Sequence, residues 1–331
     1  MSALQPISGP KQLVVSIDTE EEGLWGGSYL ATGNTTANLQ GLERFQVLCE
    51  RLGVLPTYLI DAPVLSDSQG IKHLRRWQEA RLCEVGSHCH PWCNPPLKSM
   101  APTPQETFLC NLPVEEQYHK LAWLTQRIAD ATGRAPTSYR AGRYGFDTST
   151  AAILRDLDYR VDSSVVPLHE YRRQGGPDFR MSRREPHRLI VDEQGGELLE
   201  IPVTSGFTRS GYERRRRIWM NCRSKPWSRL RSAGVVDRLS IARRVKFSPE
   251  GTRLSDLRRL VDACVQDGLE TLVLMLHSSS LAAGFSPYAE SSDMLGRFYD
   301  RFTKIIQYAI SEHSFTPATL TGAADSLLTR P

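Results

Sequence analysis

The sequence alternates between short apolar segments, typical of buried strands, and longer segments with helical periodicity. The first apolar segment is Leu13 to Ile17; Leu42, Phe45 and Leu48 then recur at helical spacing, and Pro56 to Ile60 is again strand-like. Strands joined by helices pair in parallel, because a helical crossover returns the chain to the same end of the sheet. The alternation therefore predicts an α/β protein, either a barrel or an open doubly wound sheet, with the helices outside.

The alternation continues along most of the remaining chain. The further predicted strands are Cys83 to Gly86, Thr137 to Arg140, Tyr159 to Asp162, Leu198 to Val203 and Leu272 to Leu276. The further predicted helices are Ile71 to Ala80, Val114 to Thr132, Ser149 to Leu157, Leu254 to Gln266 and Leu295 to Ser311. Two stretches without periodicity, Asn94 to Leu112 and His169 to Gly196, are predicted to be surface loops with a role in substrate contact.

The length and composition suit a single elaborated domain that spans residues 1–331. Hydrophobic residues make up 40% and charged residues 24%, as in globular proteins that bury a sizeable core. Residues 1–12 lack an apolar stretch suited to a signal peptide, and no run of 18 apolar residues follows, so we expect a cytoplasmic protein. The seven cysteines are irregularly spaced and odd in number, which favours reduced thiols.

The charge is distributed unevenly along the chain. Residues 209–247 contain 13 Lys or Arg and two acidic residues, so this segment carries +11 although the whole chain carries +4. The remaining residues therefore sum to about −7. The excess predicts a basic insertion, and Trp219 and Trp227 among the arginines suit nucleic acid, phosphate or an anionic membrane surface. A solvated insertion without a partner is the alternative.

Ionisable residues stand at or just after the ends of the predicted strands. They are Asp18, His88, Arg140, Asp162 and His277. The carboxyl ends of parallel strands form one face of such a fold, where active sites are built. We therefore expect these separate segments to contribute to a single site.

Two histidines, His88 and His90, stand two positions apart directly after a predicted strand. On extended backbone such residues point the same way, so both imidazoles can converge on one cation. For this motif alone, two partly exposed loop histidines are the simpler interpretation. Because Cys89 and Cys93 flank His90, a structural zinc site with mixed ligands is a further alternative, although no second cysteine pair follows.

Two carboxylates, Asp18 and Glu20, have the same spacing after the first strand. One of them can bind a metal ion while the other stays free as a base, although an acidic run after a strand can also be a solvated turn. Two histidines, one carboxylate and an open coordination position form the usual hydrolytic site for zinc or a similar divalent ion. The sequence therefore predicts a divalent metal cofactor, with zinc as the expected ion.

Two further residues have a chemical and a structural interpretation. His277 ends a very apolar strand, where it is a candidate general acid or, alternatively, a strand cap before Ser278 to Ser280. Arg140 ends a shorter strand and is a candidate partner of a buried carboxylate, or else a surface arginine.

Taken in order, these motifs resemble those of the NodB-homology polysaccharide deacetylases. The similarity is greater to a divergent branch of that family with Asp-x-Glu and Gly-Ser-His-x-His motifs, which is associated with surface-glycan biosynthesis. It covers roughly residues 13–280. The residues that carry it are Ile17-Asp18-Thr19-Glu20, His88-x-His90, Tyr139-Arg140, Asp162-Ser163-Ser164 and Leu276-His277.

The resemblance implies a fold, a reaction and a set of site residues. The fold is a deformed (β/α) barrel of about seven parallel strands, and the reaction is metal-dependent removal of the N-acetyl group from an N-acetylated sugar. The implied ligands of the metal ion, usually zinc, are Glu20, His88 and His90. The implied reacting groups are Asp18 as general base, Arg140 as the residue that holds it, and His277 as general acid. Candidate substrate contacts are Trp92, Arg143 and Tyr144, the last near a backbone N–H for the oxyanion.

The chain departs from the family pattern in three motifs. The first motif commonly has two adjacent aspartates, so Asp18-Thr19-Glu20 leaves open which acid binds the metal. The second motif usually spaces its histidines by four, and Trp92 occupies that position here. The fourth motif ordinarily ends in Asp-Trp, which tunes the catalytic histidine, but Val165-Val166 follows here, so Asp162 substitutes or the tuning is absent.

The implied substrate is an N-acetylated sugar in a glycan or glycan precursor. Residues 209–247 would then contact a lipid-linked or nucleotide-linked sugar, or the anionic inner membrane, and no nucleic acid is expected as a partner. One alternative is another amidase of the same fold that cleaves a formamide or a ureide. The other is a non-catalytic module that binds glycan or nucleic acid through its arginine-rich segment.

Overall fold

The computed structural model describes residues 9–27, 29–191, 197–223 and 241–328. The strands are β1 Gln12–Thr19, β2 Thr57–Ile60, β3 Glu84–Cys89, β4 Ser138–Ala141, β5 Val161–Asp162, β6 His187–Ile190, β7 Glu197–Glu200, β8 Ser205–Phe207, β9 Arg244–Lys246, β10 Thr271–His277 and β11 Thr316–Ala318. The helices are α1 Leu42–Arg51, α2 Ser68–Glu79, α3 Val114–Thr132, α4 Thr148–Asp156, α5 Tyr212–Arg223, α6 Leu254–Gln266, α7 Ser292–His313 and α8 Leu320–Leu328.

The main sheet contains a continuous run of seven parallel strands in the order β10-β1-β2-β3-β4-β5-β7. Strand β6 adds antiparallel to β7, and β11 pairs in parallel with the first residues of β1. The sheet is strongly curled, with the helices of the strand–helix repeats outside it. The predicted α/β fold, a deformed (β/α) barrel, is therefore confirmed.

The gap between the ends of the curled sheet is bridged by the chain around the β8–β9 hairpin. Thr204 donates its N–H to the carbonyl of Val273 on β10 (3.2 Å) and accepts from the N–H of Phe247 (2.8 Å). The Met275 N–H donates to the carbonyl of Phe247 (3.1 Å). These bonds satisfy β10 on its second edge, which explains how a barrel with an incomplete ladder keeps its buried backbone groups paired.

Strands β1 and β10 pair in parallel and are buried over almost their whole length. All eight residues of β1 are buried, as expected for a parallel strand that is covered by helices on one side and by the barrel interior on the other. The register sets Asp18 beside His277 at the carboxyl end of the pair. Helix α8 covers the opposite end, where Leu320 and Leu327 pack on Val14 of β1. The ionisable groups therefore collect at one end of the barrel.

The structure corrects two predictions about local structure. Strand β3 extends to Cys89, so His88 lies within the strand and not after it, because β4 continues the ladder opposite His88. Strand β6 lies inside the predicted loop His169 to Gly196 and pairs antiparallel with β7, so the sheet is not purely parallel. Its four residues, two polar followed by two apolar, lack the alternation typical of a strand, so its pairing with β7 decides its conformation.

The basic segment at 209–247 connects the two strands of the β8–β9 hairpin. Its first part forms α5, a helix that was not predicted because the run of arginines shows no apolar periodicity. Trp219 of this helix is buried against Phe207 and Leu168. The central part, residues 224–240, lies outside the described residues. No helix in the described ranges is both long and apolar enough to cross a bilayer.

Candidate metal centre and active-site cavity

A cavity of about 160 Å³ opens at the carboxyl ends of the parallel strands. Eight of the ten predicted site residues line it: Asp18, Glu20, His88, His90, Trp92, Arg143, Tyr144 and His277. Leu24, Trp25, Tyr29 and Ala141 complete its wall. Segments distant in sequence thus meet at one point, as the strand-end argument predicts.

Three donor groups converge on one position in this cavity. The Oε2 atom of Glu20 lies 3.4 Å from the Nε2 atoms of both His88 and His90. All three side chains are buried, and their donor atoms lie within 4.8 Å of one another. The backbone of Glu20 is held by the turn after β10, because its N–H donates to Ser278 Oγ at 3.1 Å.

The Nδ1 atom of each imidazole forms a hydrogen bond, which fixes the orientation of both rings. His88 donates its Nδ1–H to the carbonyl of Arg140 (2.9 Å), and His90 donates its Nδ1–H to Glu21 Oε2 (2.8 Å). Both Nε2 atoms consequently face Glu20. Ligand histidines in metal proteins are oriented by such contacts to a carbonyl and to a carboxylate.

Behind His90 lies a pair of buried carboxyl groups, Glu21 and Asp61, that the sequence did not reveal. Asp61 Oδ2 accepts the Glu21 N–H at 3.0 Å, and Trp92 donates its indole N–H to Glu21 Oε1 at 2.9 Å. Burial opposes ionisation of both, but His90 lowers the pKa of Glu21, whereas burial and the charge of Glu21 raise the pKa of Asp61. Glu21 is therefore the ionised member that anchors His90.

Gly142 allows β4 and the histidine pair to come this close. A Cβ atom at this position would lie 2.3 Å from His90 Cδ2 and 2.5 Å from the carbonyl oxygen of Cys89, well inside van der Waals contact. The two following residues, Arg143 and Tyr144, have φ angles of 52° and 60°, in the left-handed region that is unusual for non-glycine residues. Strained backbone of this kind clusters at functional sites.

The fully buried Arg140 forms an ion pair with the Asp18 carboxylate and holds it in place. Arg140 Nη1 donates to Asp18 Oδ1 at 2.6 Å, while Nε donates to the carbonyl of Ser163 at 2.8 Å and Nη2 to Ser16 Oγ at 2.8 Å. Although burial opposes the charged form, the guanidinium lowers the pKa of Asp18 to about 2. The structure thus pairs Arg140 with the buried Asp18 carboxylate and leaves the second oxygen of Asp18 facing His277, 3.9 Å from its Nε2 atom.

His277 lies on the opposite side of Asp18 and has its own carboxylate partner, Glu250. The Nε2 atom of His277 is 3.9 Å from Asp18 Oδ2, and its Nδ1–H donates to Glu250 Oε2 at 2.8 Å. Glu250 is fixed in turn, since its other oxygen accepts from the His277 N–H (2.9 Å) and from Ser280 Oγ (2.6 Å). Burial alone would disfavour the imidazolium, but Glu250 and the other carboxylates raise the pKa of His277 to about 9.

Asp162 does not reach His277, so Glu250 occupies the position that the sequence analysis considered for Asp162. Asp162 accepts from the hydroxyl of Ser164 at 2.6 Å and lies opposite Glu200 in the β5–β7 ladder. Burial raises the pKa of Asp162 and, together with the Asp162 charge, raises that of Glu200 well above its ordinary value. Strand β5, which carries Asp162, is separated from β10 by four strands in the sheet order, and the Asp162 carboxylate is bonded to the N–H and the hydroxyl of Ser164.

The remaining predicted residues form the wall of the cavity. Trp92 stacks on His90 with ring centroids 4.2 Å apart. Arg143 lies over the rings of Tyr29 (4.9 Å) and Phe108 (4.2 Å). Tyr144 stacks on Tyr171, 5.4 Å away.

A loop after β1 contributes residues to the wall of the cavity, which was not predicted. Trp25 contacts His277 edge to face at 5.1 Å and donates its indole N–H to Ser279 Oγ at 3.1 Å. Tyr29 contacts Trp92 at 4.7 Å. Two glycines with positive φ, Gly23 and Gly27, flank the helical turn that carries Trp25, and this pattern was the available signal for a tight, specific loop.

The donor set fits a divalent ion. Two imidazole nitrogens and one carboxylate oxygen are ligands that zinc prefers in hydrolytic sites, and all three side chains line the cavity. The second described cluster, Glu21 with His90 and Cys93, is less suited, because Glu21 is already bonded to Trp92 and the Cys93 thiol pKa is raised by burial. The Glu20–His88–His90 cluster is therefore the candidate metal centre.

Comparisons with solved structures identify proteins with a similar fold. A provisionally assigned polysaccharide deacetylase from Mycobacterium smegmatis aligns with 14% sequence identity and a TM-score of 0.54, covering 99% of each chain. A 4-alpha-glucanotransferase from Thermococcus litoralis aligns with 12% identity and a TM-score of 0.55, covering 97% of this chain and 41% of that one. No protein-family model matches the sequence, and no curated protein matches it either. Since proteins with different activities share this fold, the site has to carry the functional argument.

Proposed function

We propose that this protein is a metal-dependent deacetylase that hydrolyses the acetamido group of an N-acetylated sugar. The observation that carries the proposal is the meeting of a Glu20–His88–His90 donor set with Asp18 and His277 in one small cavity. A carbohydrate-deacetylase fold, seen in the Mycobacterium smegmatis protein, supports it. Zinc is the proposed ion, because two imidazoles and a carboxylate form its common catalytic donor set.

Glu20, His88 and His90 would hold the ion, and Asp18 would serve as the base beside it. When bound, a divalent ion supplies Lewis acidity and lowers the pKa of a water molecule towards ~7. Asp18 is ionised and has one oxygen fixed by Arg140, so its Oδ2 is the atom proposed to take the proton from the attacking water. The salt bridge explains why this carboxylate stays charged in a buried site.

His277 is proposed to protonate the departing amine. Its Nδ1–H is held by Glu250, so Nε2 is the atom that faces Asp18 and the cavity. A proton on that nitrogen can pass to the amine nitrogen as the C–N bond breaks, releasing acetate and the free amino sugar. The nearest side-chain atoms of the proposed base and the proposed acid are 3.9 Å apart.

The size of the cavity supports a small acyl group. A cavity of about 160 Å³ is large enough for an acetamido group. The ring would lie at the mouth, where Trp25 and Tyr29 offer aromatic faces and Arg143 a hydrogen-bond donor. This arrangement favours a substrate that presents its acetamido group outwards.

The direct test is release of acetate from a panel of N-acetylated sugars by the purified protein loaded with zinc. We expect turnover to fall by roughly 10²-fold or more after the metal is removed with a chelator, and to return when zinc is added, because the Lewis acid contributes several kcal/mol. A second panel, in which the same sugars carry N-formyl in place of N-acetyl groups, tests the alternative that the protein is another amidase. Preferential release of formate would contradict the deacetylase assignment, and release of neither acid would contradict hydrolysis.

Replacing Glu250 tests the residue that the sequence did not reveal. Glu250→Gln keeps the side-chain shape but removes the negative charge beside His277, so we expect kcat to fall by about tenfold to 100-fold. The KM and the bound metal should change little, because Glu250 contacts neither the cavity nor the donor cluster. Glu312→Gln, an exposed change on α7, is the matched control. An unchanged kcat in Glu250→Gln would show that His277 needs no carboxylate partner.

A further inference from the structure

The two histidines of the candidate metal centre are supported by groups of different charge. His88 donates its Nδ1–H to the backbone carbonyl of Arg140 at 2.9 Å, which is a neutral acceptor. His90 donates its Nδ1–H to a carboxylate oxygen, Glu21 Oε2, at 2.8 Å. Both acceptors orient the ring, but only the carboxylate brings a negative charge to it. The two histidines should therefore differ in their strength as metal ligands.

Glu21 is held at both of its carboxylate oxygens. Oε1 accepts the indole N–H of Trp92 at 2.9 Å and the thiol of Cys93 at 3.6 Å, while Oε2 accepts from His90. An indole N–H is only a donor, and a carboxylate accepts at both oxygens, so these contacts are complementary. All four side chains are buried. The carboxylate therefore has little freedom to turn away from the His90 ring.

Asp61 holds Glu21 from the neighbouring strand. Its Oδ2 accepts the Glu21 backbone N–H at 3.0 Å, and its Oδ1 accepts the N–H of Val64 at 3.1 Å. Asp61 is fully buried and directly follows β2, the strand that pairs with β1. Its Oδ2 also lies 3.4 Å from His90 Nδ1. The Nδ1 side of the His90 ring thus faces a cluster of two acidic side chains.

The His90 ring is also restrained by its packing. Trp92 stacks on it with ring centroids 4.2 Å apart. The backbone of Gly142 approaches so closely that a Cβ atom there would lie 2.3 Å from His90 Cδ2. Because His90 and Trp92 both bond to Glu21, the three side chains form one connected unit. This unit presents the His90 Nε2 atom to Glu20, 3.4 Å from its Oε2 atom.

An anionic acceptor at one nitrogen strengthens an imidazole as a ligand at the other nitrogen. The hydrogen bond draws the Nδ1 proton towards the carboxylate, which leaves more electron density on Nε2 for a cation. The effect is larger in a buried site, because charges are poorly screened there. Contacts of this kind typically change metal affinity by about tenfold to 100-fold.

We infer that Glu21 sets the metal affinity of the site through His90, with Trp92 and Asp61 holding Glu21 in place. Glu21 is a positioning residue, since it is outside the cavity wall and is not one of the three proposed ligands. The inference rests on the metal centre of the proposed function and does not depend on which acyl group is hydrolysed.

Glu21→Gln tests the inference, because glutamine has a similar shape but only one acceptor oxygen. Either the His90 N–H or the Trp92 N–H then faces the amide NH2 group, and the negative charge is lost. We expect the dissociation constant for zinc to rise by about tenfold to 100-fold. Competition with a chromophoric zinc chelator, on the intact chain freed of metal, measures it. Glu115→Gln, an exposed change on α3, is the matched control and should bind zinc as the wild type does.

Two further measurements separate this role from a loss of folding. Trp92→Phe keeps an aromatic ring against His90 but removes the indole N–H, so zinc affinity should fall by a smaller factor, about threefold to tenfold. The visible absorption bands of the cobalt-loaded protein report the ligands of the ion, and we expect them to shift in Glu21→Gln but not in Glu115→Gln. A change that only weakened the fold would lower the thermal transition temperature and leave these bands in place.

Zinc affinity and acetate release distinguish this inference from the proposed function. Zinc binding that depends on Glu21, without acetate release, would support the inference and contradict the deacetylase. Acetate release by a Glu21→Gln variant with the wild-type zinc affinity and cobalt bands would overturn the inference and leave the deacetylase intact. If Glu21→Gln does not fold, Trp92→Phe decides, and an unchanged zinc affinity in that variant would overturn the inference.

Discussion

His88→Ala is expected to abolish metal retention and, with it, hydrolysis. The imidazole supplies one of only three side-chain donors in the cluster, and its removal leaves Glu20 and His90, too few to hold a divalent ion tightly. We expect the zinc content of the purified variant to fall from near one ion per chain to below about one tenth, and acetate release to fall by roughly 10²-fold or more. Elemental analysis after gel filtration, together with the acetate assay, measures both.

The fold should survive this change. His88 makes one hydrogen bond to a backbone carbonyl, and its loss costs about 1–3 kcal/mol, less than the stability of a typical domain. A cooperative thermal transition would verify this. His119→Ala, an exposed substitution on α3, is the matched control and should keep both zinc and activity. Zinc bound to His88→Ala at the wild-type level would mean that the metal centre lies elsewhere.

Asp18→Asn should separate chemistry from metal binding. The amide can still accept a hydrogen bond from Arg140, so the side chain is expected to keep its position, but it can no longer take a proton. We expect zinc content to be retained and turnover to fall by roughly 10²-fold or more, the contribution of a positioned general base. Steady-state acetate release and elemental analysis on one preparation give the two values.

The same variant decides which acid of the first motif binds the ion. If Asp18→Asn loses zinc along with activity, the roles of Asp18 and Glu20 are exchanged. If it keeps full activity, Asp18 is not the base, and its pairing with Arg140 is structural. Asp130→Asn, on the exposed side of α3, controls for the loss of one carboxylate. Some loss of stability is expected in Asp18→Asn, because the buried Arg140 charge is then uncompensated.

Much of the site could be predicted from local sequence. Asp18, His88 and His277 stand at the ends of apolar strands, and parallel strands bring such ends to one face whatever the rest of the chain does. Arg140 was a candidate partner of a buried carboxylate with a surface arginine as the alternative, and only the structure shows its ion pair with Asp18. The predictions from the strand ends depend on periodicity and on strand order alone.

Glu250, Glu21 and Asp61 could not be predicted in the same way. Glu250 lies in the turn after β9, a strand of only three residues at the end of the arginine-rich segment. It bonds to His277, which lies 27 positions later in the sequence. Asp61 meets Glu21 only because β1 and β2 are neighbours in the sheet. Each is one acidic residue among many in the sequence, and no spacing rule distinguishes it.

The sequence by itself determined the class of fold and the order of the donor groups, since apolar periodicity and the ends of strands are local properties of the chain. The tertiary structure decided which carboxylate supports which histidine, and that Asp162 is remote from His277 while Glu250 contacts it. The physical reason is that these contacts join segments far apart in sequence. Their geometry depends on the curl of the sheet and on how the β8–β9 hairpin bridges its gap, and no single segment encodes either.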